Sequence, residues 1–363
     1  MPKLLTLCAA LLAVPAIADT YDAGERPLEL VRAMADGPLK QQLLACEGQE
    51  ITPTLFSIGH RGAPRGYPEH TYESYKAAAA MGAGALECDV TFTSDKALVC
   101  RHAQDDLHKT TDILDTALAA RCNAGACSTA DITEPEFLSL SGVSDKGRGT
   151  VVTLAQSIAM FRELGVAHMP ELKAPSVAMP YDGMSQTDYA QRLIDAYVTE
   201  GVSAADVWPQ SFNLGDVLYW IEAAPEFGKR AIWLDGSYRT DGWRAEDPAT
   251  WAHSMEELHA MGLRYIAPPL WVLLSLEQGE IVPSAYARAA KEAGLEIISW
   301  TVERSGPLNT GGGWYFQSVT PAVTGDGVLY EVIDVLARDV GVVGVFSDWA
   351  GTTSYYANCM GLE

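Results

Sequence analysis

The chain has 363 residues, of which 48% are hydrophobic and 20% are charged, and its formal net charge at pH 7 is −22. Nucleic acid and anionic membranes repel so negative a chain, so neither is an expected partner. After the N-terminus no apolar run reaches the roughly 18 residues that a membrane-spanning helix needs, so we expect the body of the chain to be soluble. An anionic substrate would require a locally basic or metal-bearing pocket.

Residues 1–18 have the pattern of a secretory signal peptide. Lys3 precedes the apolar run "LLTLCAALLAVPAIA", which ends in the small-x-small sequence 16–18. Cys8 lies near the start of this run, so we assign it to the removed segment and not to a lipid anchor. We expect the protein to be exported, either to a periplasm or out of the cell, with 19–54 as an N-terminal extension.

Six cysteines follow the signal peptide: Cys46, Cys88, Cys100, Cys122, Cys127 and Cys359. An even number in an exported chain indicates disulfides more than metal ligands. Several pairings are possible, and spacing alone does not decide between them. The set that we expect is a Cys122–Cys127 clip within one loop, a Cys46–Cys359 link between the chain ends, and Cys88–Cys100 as the remainder.

Apolar, β-rich segments alternate with helical patterns along the rest of the chain. The predicted strands are 55–60, 85–90, 167–173, 207–212, 231–235, 264–268, 296–302 and 342–348, and helix candidates include 71–83, 153–165, 188–201 and 283–295. Several of these helix candidates contain the glycine that is common at a helix C-terminus. Eight strands with interleaved helices are the pattern of an α/β fold of the (β/α)₈ TIM-barrel type. No linker divides the pattern, so we predict a single domain over 55–363.

A ninth β-rich segment, 97–102, does not fit the barrel pattern. Only residues 93–96 separate it from the second strand, whereas a parallel crossover needs about a dozen residues or more. We therefore predict a β-hairpin extension, followed by an inserted region at about 103–150. Active sites of barrels are built from loops at the C-terminal face, so we expect this insertion to shape the substrate entrance.

Seven ionisable residues stand near the ends of the first three predicted strands and of the hairpin: His60, Arg61, Glu87, Asp89, His102, Glu171 and Lys173. Glu87 and Asp89 are two residues apart on one strand and therefore share a face. Three carboxylates that converge would repel one another without a cation between them. Hard oxygen ligands suit Mg²⁺ or Ca²⁺, and two histidines beside them suit acid–base catalysis.

The blocks "GHRG", "PEHTYES", "GALECDVTFTSDKALVCRH" and "PELK" resemble those of the glycerophosphodiester phosphodiesterase family, and "QSF", "SWTV" and "GVFSDW" are similar to its later strands. The resemblance covers most of the chain after the signal peptide. It implies a barrel hydrolase that uses one divalent cation, Ca²⁺ or Mg²⁺, to cleave glycerophosphodiesters to sn-glycerol 3-phosphate and an alcohol.

The resemblance also implies a role for each site residue. His60 and His102 would be the general acid and base, and the metal ligands would be Glu87, Asp89 and Glu171. Arg61 and Lys173 would contact the phosphate. Glu69 would orient Arg61 or support the metal shell, and Trp300 would form an apolar wall for the glycerol moiety.

Some positions depart from the family pattern or are expected to have no role. The family usually has Asp directly after the second histidine, whereas Ala103 follows His102 here, and Asp105 is the candidate that would orient the ring instead. We expect His70 to be a capping or surface histidine. The "GGGW" sequence at 311–314 lacks the Lys-Ser/Thr of a phosphate-binding loop, so we expect a flexible rim loop.

Three other functions share parts of this pattern. A phospholipase D-like enzyme acting on lysolipids or sphingomyelin would stop at a cyclic phosphate. A glycoside hydrolase would place two carboxylates on either side of a sugar bond, but Glu87 and Asp89 are too close along one strand for that, and the histidines would have no role. A non-catalytic exported binding protein could retain the fold. The "PEHT" block and the full-length barrel pattern favour the diester hydrolase.

Overall fold

The computed structural model describes residues 21–123 and 125–362, and it has a strand in each of the eight predicted segments. In chain order, the strands within the described residues are β1 (Thr54–Gly59), β2 (Ala83–Phe92), β3 (Leu98–Cys100), β4 (Ser141–Ser144), β5 (Gly147–Thr150), β6 (Ala167–Leu172), β7 (Gln210–Ser211), β8 (Ile232–Leu234), β9 (Tyr265–Ala267), β10 (Leu274–Glu277), β11 (Glu280–Pro283), β12 (Glu296–Val302) and β13 (Gly344–Ser347). Eight of them pair in parallel in the order β1-β13-β12-β9-β8-β7-β6-β2, and β2 pairs back to β1. The sheet is therefore closed, and the predicted (β/α)₈ barrel is confirmed.

Helices surround the barrel. Those of the described residues are α1 (Arg26–Ala33), α2 (Pro38–Ala45), α3 (Tyr72–Ala80), α4 (Leu107–Thr110), α5 (Glu134–Leu138), α6 (Leu154–Leu164), α7 (Gln186–Thr199), α8 (Leu214–Ala223), α9 (Pro225–Gly228), α10 (Met255–Ala260), α11 (Leu270–Leu273), α12 (Ala285–Glu292), α13 (Val328–Asp334) and α14 (Ala350–Met360), with short 3₁₀ and π segments between them. The four predicted helices correspond to α3, α6, α7 and α12. Their starts follow from local chemistry: Thr153 and Ser185 each form a capping box at the first turns of α6 and α7.

The strands separate two hydrophobic layers. A small cluster fills the barrel interior and consists of Ile58, Ala85, Met169, Ile232, Leu234, Ala267, Ile298 and Phe346. The larger cluster lies between the strands and the helices, and it includes Leu86, Cys88 and Val90 from β2. Successive strand side chains point to opposite faces, so Glu87 and Asp89 lie on the same interior face as Ala85.

The segment after β2 folds back as predicted. β3 pairs antiparallel with β2, with Val90 opposite Cys100, which confirms the hairpin extension. The inserted region packs on its own small core, which includes Leu107, Ile113 and Phe137. Of the described residues in 103–150, only Ala103 lines the central cavity, so the expectation that the insertion shapes the entrance is wrong beyond that residue. The reason is that its apolar side chains are buried against one another.

Three disulfides connect the six described cysteines: Cys46–Cys359, Cys88–Cys100 and Cys122–Cys127. These are the expected pairs. The first joins the end of α2 to α14, and the second joins β2 to β3. The assigned signal peptide, with Cys8, lies outside the described residues. None of the described helices has the length and apolar character that crossing a membrane requires.

Candidate active site

A cavity of about 600 Å³ lies at the carboxyl end of the barrel strands, and its lining includes the predicted residues His60, Arg61, Glu87, His102, Glu171, Lys173 and Trp300. Their positions follow from strand alternation. His60 comes two residues after Ile58, Glu171 two after Met169, and Trp300 two after Ile298, and all three preceding residues lie in the barrel interior. Each polar side chain therefore continues an interior row and emerges at the mouth of the barrel.

Three carboxylates converge at the base of this cavity. Oxygens of Glu87, Asp89 and Glu171 lie within 4.8 Å of one another, and all three residues are buried. The pairing of β2 with β6 places Asp89 directly opposite Glu171. Burial and the neighbouring carboxylates raise the pKa of Glu87 well above its usual range. Burial likewise raises the pKa of Glu171 to about 8, although Lys173 opposes this rise.

Asp89 differs from its two neighbours. Burial disfavours its charge, but Lys173, His70 and Arg61 hold the pKa of Asp89 well below its usual range. Its Oδ1 atom is buried and accepts no hydrogen bond, and Lys173 Nζ lies 3.7 Å away. A buried, unsatisfied carboxylate oxygen among three acids is a donor set that fits a hard divalent cation.

Two cations, the buried Arg61 and the largely buried Lys173, flank the carboxylates. Arg61 Nη1 donates to Glu69 Oε2 at 3.0 Å, and its Nε lies 3.4 Å from Asp89. Lys173 Nζ lies 2.6 Å from Glu171 Oε1. Burial opposes the charge of Glu69, but Arg61 outweighs it and the pKa of Glu69 is lowered. Glu69 therefore contacts Arg61, which is the first of the two contacts that the resemblance implied for it.

Arg61 adopts a conformation that is uncommon for a residue with a side chain. Its φ is 56°, and its backbone N–H donates to Glu87 Oε2 at 3.0 Å. Non-glycine residues with positive φ are uncommon and concentrate at functional sites. The turn after β1 thus fixes a backbone donor on one carboxylate while the guanidinium reaches the other side of the cluster.

His60 is held by an acid that the sequence analysis left without a role. Its Nδ1 donates to Asp348 Oδ1 at 2.5 Å, and Arg304 Nη1 donates to Asp348 Oδ2 at 2.9 Å. Burial lowers the pKa of His60 to about 4, helped by Arg61 and opposed by Asp348. The ring is therefore neutral near pH 7. Because Nδ1 carries the proton toward Asp348, the lone pair of Nε2 is available. Asp348 could have been found from the sequence, because it comes two residues after Phe346, whose side chain points into the barrel interior.

His102 lies at the end of the hairpin and is 42% exposed. Its Nδ1 is 3.8 Å from Asp106 Oδ2, which also accepts the Ala103 N–H at 3.0 Å. Asp105 is exposed, so the expectation that it orients the ring is wrong, and Asp106 lies there instead. The chain turns after Asp105, so that the side chain of Asp106 faces the His102 ring. Burial, with Arg61 and Lys173, lowers the pKa of His102 to about 3.

His70 is not a capping or surface histidine, and that expectation is wrong. Its side chain is fully buried, Nε2 lies 2.8 Å from Asp89 Oδ2, and Nδ1 lies 2.7 Å from the Tyr75 hydroxyl. Thr71 caps α3 in its place. With φ at 54°, the backbone turns the imidazole inward onto the carboxylates. The sequence feature that could have indicated this role is the position of His70 in the "PEHT" block, directly after Glu69.

Aromatic side chains form the rest of the cavity wall. Trp300 stacks on Trp314 with ring centroids 5.9 Å apart, and Phe212 meets Trp300 edge-on at 5.9 Å. Trp300 Nε1 donates to the Ala267 carbonyl at 2.8 Å, which fixes the indole. The "GGGW" segment thus places Trp314 on the rim. The cavity combines a carboxylate cluster, two flanking cations and two neutral histidines, which is suited to proton transfer on a bound anion.

Comparison with known proteins supplies an independent line of evidence. The sequence profile of the Glycerophosphoryl diester phosphodiesterase family matches residues 60–352. A protein from Arthroderma benhamiae named "Extracellular protein" is 43% identical over 203 residues, which are 54% of this chain and 81% of that protein.

Solved structures show the same fold. The crystal structure of a protein from Silicibacter pomeroyi that is named for this family has a TM-score of 0.62 at 19% identity, and the match covers 88% of this chain and 98% of that one. An Oleispira antarctica phosphodiesterase, solved in complex with the product sn-glycerol-3-phosphate, has a TM-score of 0.54 at 17% identity, with 83% and 96% covered.

Proposed function

Because the chain belongs to the glycerophosphoryl diester phosphodiesterase family and is therefore a phosphodiesterase, we propose that it hydrolyses glycerophosphodiesters to sn-glycerol 3-phosphate and an alcohol. The observation that supports this best is the convergence of two histidines, two cations and three carboxylates on one cavity. A glycoside hydrolase would not need the histidines, and a binding protein would not need buried acids beside neutral imidazoles.

The acidic cluster would hold one divalent cation, Ca²⁺ or Mg²⁺. Its ligands would be Glu87, Asp89 and Glu171, whose oxygens already lie within 4.8 Å of one another. When bound, the cation supplies charge neutralisation for the phosphodiester and for the charge that develops in transfer. His70, which does not line the cavity, holds Asp89 and would orient this ligand.

Arg61 and Lys173 would bind the non-bridging oxygens of the phosphodiester. Arg61 is buried and Lys173 largely buried beside the carboxylates, and Glu69 keeps the Arg61 guanidinium in place. A charge held in a water-poor cavity interacts with an anion more strongly than an exposed charge does. These two side chains would hold the diester in the cavity that both imidazoles line.

His60 would act as the base and His102 as the acid in the first step. Asp348 accepts the proton of Nδ1, so Nε2 of His60 can take a proton from the nucleophile, which is the glycerol 2-hydroxyl or a water. His102 would then protonate the leaving alkoxide. Burial and the cations Arg61 and Lys173 depress its pKa, and a bound anionic diester offsets those cations and raises it. If the 2-hydroxyl attacks, the resulting cyclic phosphate is opened by water with the two roles exchanged.

The compartment and the domain boundaries are part of the same proposal. Three disulfides suit an oxidising environment, and the Arthroderma benhamiae relative is named an extracellular protein. We therefore assign 1–18 to a signal peptide, 19–54 to an N-terminal extension and 55–363 to one catalytic domain. Cleavage after Ala18 is checked by N-terminal sequencing of the exported protein.

The test is release of glycerol 3-phosphate from glycerophosphoethanolamine by the purified chain, with Ca²⁺, with Mg²⁺ and with chelator. We expect metal-dependent release and a loss of about 10²- to 10⁴-fold in His102→Ala. His259→Ala, an exposed histidine outside the cavity, is the matched control. Phosphorus NMR distinguishes the monoester from a persistent cyclic phosphate, which would indicate the lysolipid-type enzyme. Release that chelator does not affect would contradict the metal assignment.

A further inference from the structure

The leaving alcohol meets a part of the cavity that the proposed chemistry does not use. We propose that Arg239 binds a carboxylate on this alcohol, so that the preferred substrates are glycerophosphodiesters whose alcohol bears a carboxylate group. Arg239 follows β8, at the carboxyl end of the barrel, and it lines the same cavity as the histidines. The inference rests on the proposed function, because it concerns the alcohol that this reaction releases.

Charge pairing within the cavity singles out Arg239. Four cations line it: Arg61, Lys173, Arg239 and Arg304. Arg61 pairs with Glu69 and Asp89, Lys173 pairs with Glu171, and Arg304 pairs with Asp348. Within 21–123 and 125–362, Arg239 forms no ion pair with a carboxylate within 4.0 Å. Three of the four guanidinium or ammonium groups are thus matched by the protein's own acids. The fourth, Arg239, is an exposed residue on the wall of the cavity and is available to a ligand.

The surroundings of Arg239 favour a planar anion. Its guanidinium carbon lies 4.6 Å from the ring centroid of Phe212 and 5.2 Å from that of Tyr238. Contacts over ring faces hold the flat side of a guanidinium and leave its N–H edge free. That edge matches the two oxygens of a carboxylate in a bidentate pair. One free positive charge also balances the single negative charge of a carboxylate.

The distance from the phosphate subsite fits a group on the leaving alcohol. Phe212 also contacts Lys173, whose Nζ lies 5.9 Å from the same ring centroid. One aromatic ring therefore separates the phosphate-binding lysine from Arg239. In an alcohol such as serine, the carboxylate is only a few bonds from the ester oxygen. Trp300 and Trp314 provide an uncharged surface for its carbon atoms.

The same arrangement disfavours a quaternary ammonium alcohol. Recognition of such a cation uses the faces of aromatic rings, but here a guanidinium already lies over one face of Phe212 and one face of Tyr238. Its positive charge also repels a second cation. Choline diesters should therefore be poorer substrates than diesters of a carboxylate-bearing alcohol.

The experiment compares glycerophosphoserine with glycerophosphoethanolamine, two substrates that differ only by the carboxylate. We expect wild-type kcat/KM to favour the serine diester by roughly threefold to tenfold, as one bidentate pair with an exposed guanidinium allows. In Arg239→Gln this ratio should fall toward one, mainly through KM of the serine diester. Arg239→Lys keeps the charge without the planar fork and should retain part of the preference.

Arg244→Gln is the matched control, since Arg244 is an exposed arginine of the same inter-strand segment that pairs with Asp247 and does not line the cavity. Its serine-to-ethanolamine ratio should equal that of the wild type. A wild-type ratio near one, or equal losses on both substrates in Arg239→Gln, would overturn the assignment while leaving the proposed hydrolysis intact. Absence of turnover with either substrate would refute the proposed function itself.

Discussion

The pairing of His60 with Asp348 provides the sharpest test of the proposed acid–base chemistry. Asp348→Asn removes the carboxylate that accepts the Nδ1 proton at 2.5 Å, with little change in shape. The new amide can donate to Nδ1, which moves the ring proton to Nε2 and takes away the lone pair that the base requires. In that orientation the carbonyl oxygen of the amide replaces Oδ2, so Arg304 keeps the acceptor to which it donates at 2.9 Å. The substitution therefore acts on the imidazole and not on the phosphate contacts.

The expected loss is therefore in kcat. A misoriented or wrongly protonated general base costs about 10²- to 10⁴-fold, while KM depends on Arg61, Lys173 and the cation and should change by less than about threefold. The assay is steady-state release of glycerol 3-phosphate from glycerophosphoethanolamine at saturating cation, with circular dichroism to verify that the variant is folded.

Asp326→Asn is the matched control, because Asp326 also pairs with an arginine, Arg26 at 3.1 Å, and is absent from the cavity lining. It should keep kcat near that of the wild type. If Asp348→Asn retained kcat within about threefold of the wild type, His60 could not depend on Asp348, and the assignment of His60 as the first base would be wrong.

Three further outcomes follow from the structure. Glu171→Gln removes one of the three clustered carboxylates, so calorimetric titration with CaCl₂ or MgCl₂ should show binding at least about tenfold weaker than in the wild type; an unchanged Kd would refute the cation site. Burial lowers the pKa of His168 to about 4 from its ordinary 6.5, so the unfolded chain takes up this proton first as pH falls. The contribution of this shift to the free energy of unfolding is complete above pH 6.5 and is lost toward pH 4, by about 3 kcal/mol at most. Urea unfolding at pH 7.5 and 4.5 should show a smaller difference in the free energy of unfolding between the two pH values in His168→Leu than in the wild type. Equal differences in the two proteins would contradict the shift. Replacing Cys88 and Cys100 together by alanine removes a buried disulfide that spans 12 residues and should lower the free energy of unfolding by about 2–4 kcal/mol, more than the same change at Cys122 and Cys127, which span 5 residues; an equal or smaller loss would contradict this ranking.

Sequence reasoning was strongest where the signal was periodic. The eight strands could be predicted because β-rich runs recur between helical patterns, and the hairpin because four residues cannot complete a parallel crossover. The positions of Glu87, Asp89 and Glu171 follow from the same period of two, since every second strand residue points into the barrel. Local rules were sufficient for these features.

The contacts that sequence reasoning missed are those that closure of the barrel creates. Asp348 is 288 residues from His60 in sequence, and the two meet only because β13 pairs with β1. His70 is near Glu69 along the chain, but its burial depends on a positive φ that the sequence does not reveal. Both cases concern where a side chain points after the chain has turned, and no pattern of residue types encodes this directly.

The barrel also separates chemistry from substrate choice. The carboxylates lie on β2 and β6, which pair over six residue positions and are further fixed by the hairpin of β3. The groups proposed to meet the alcohol lie on or after β7, β8 and β12, on segments that contribute none of the three clustered carboxylates and neither of the two cavity histidines. A change at Arg239 or Trp314 can therefore alter the alcohol that is accepted without moving Glu87, Asp89 or Glu171. Because each barrel strand ends in its own loop, selection for a new leaving group can act on one rim of the cavity and leave unchanged the β1, β2 and β6 side, which we propose holds the phosphate and the cation.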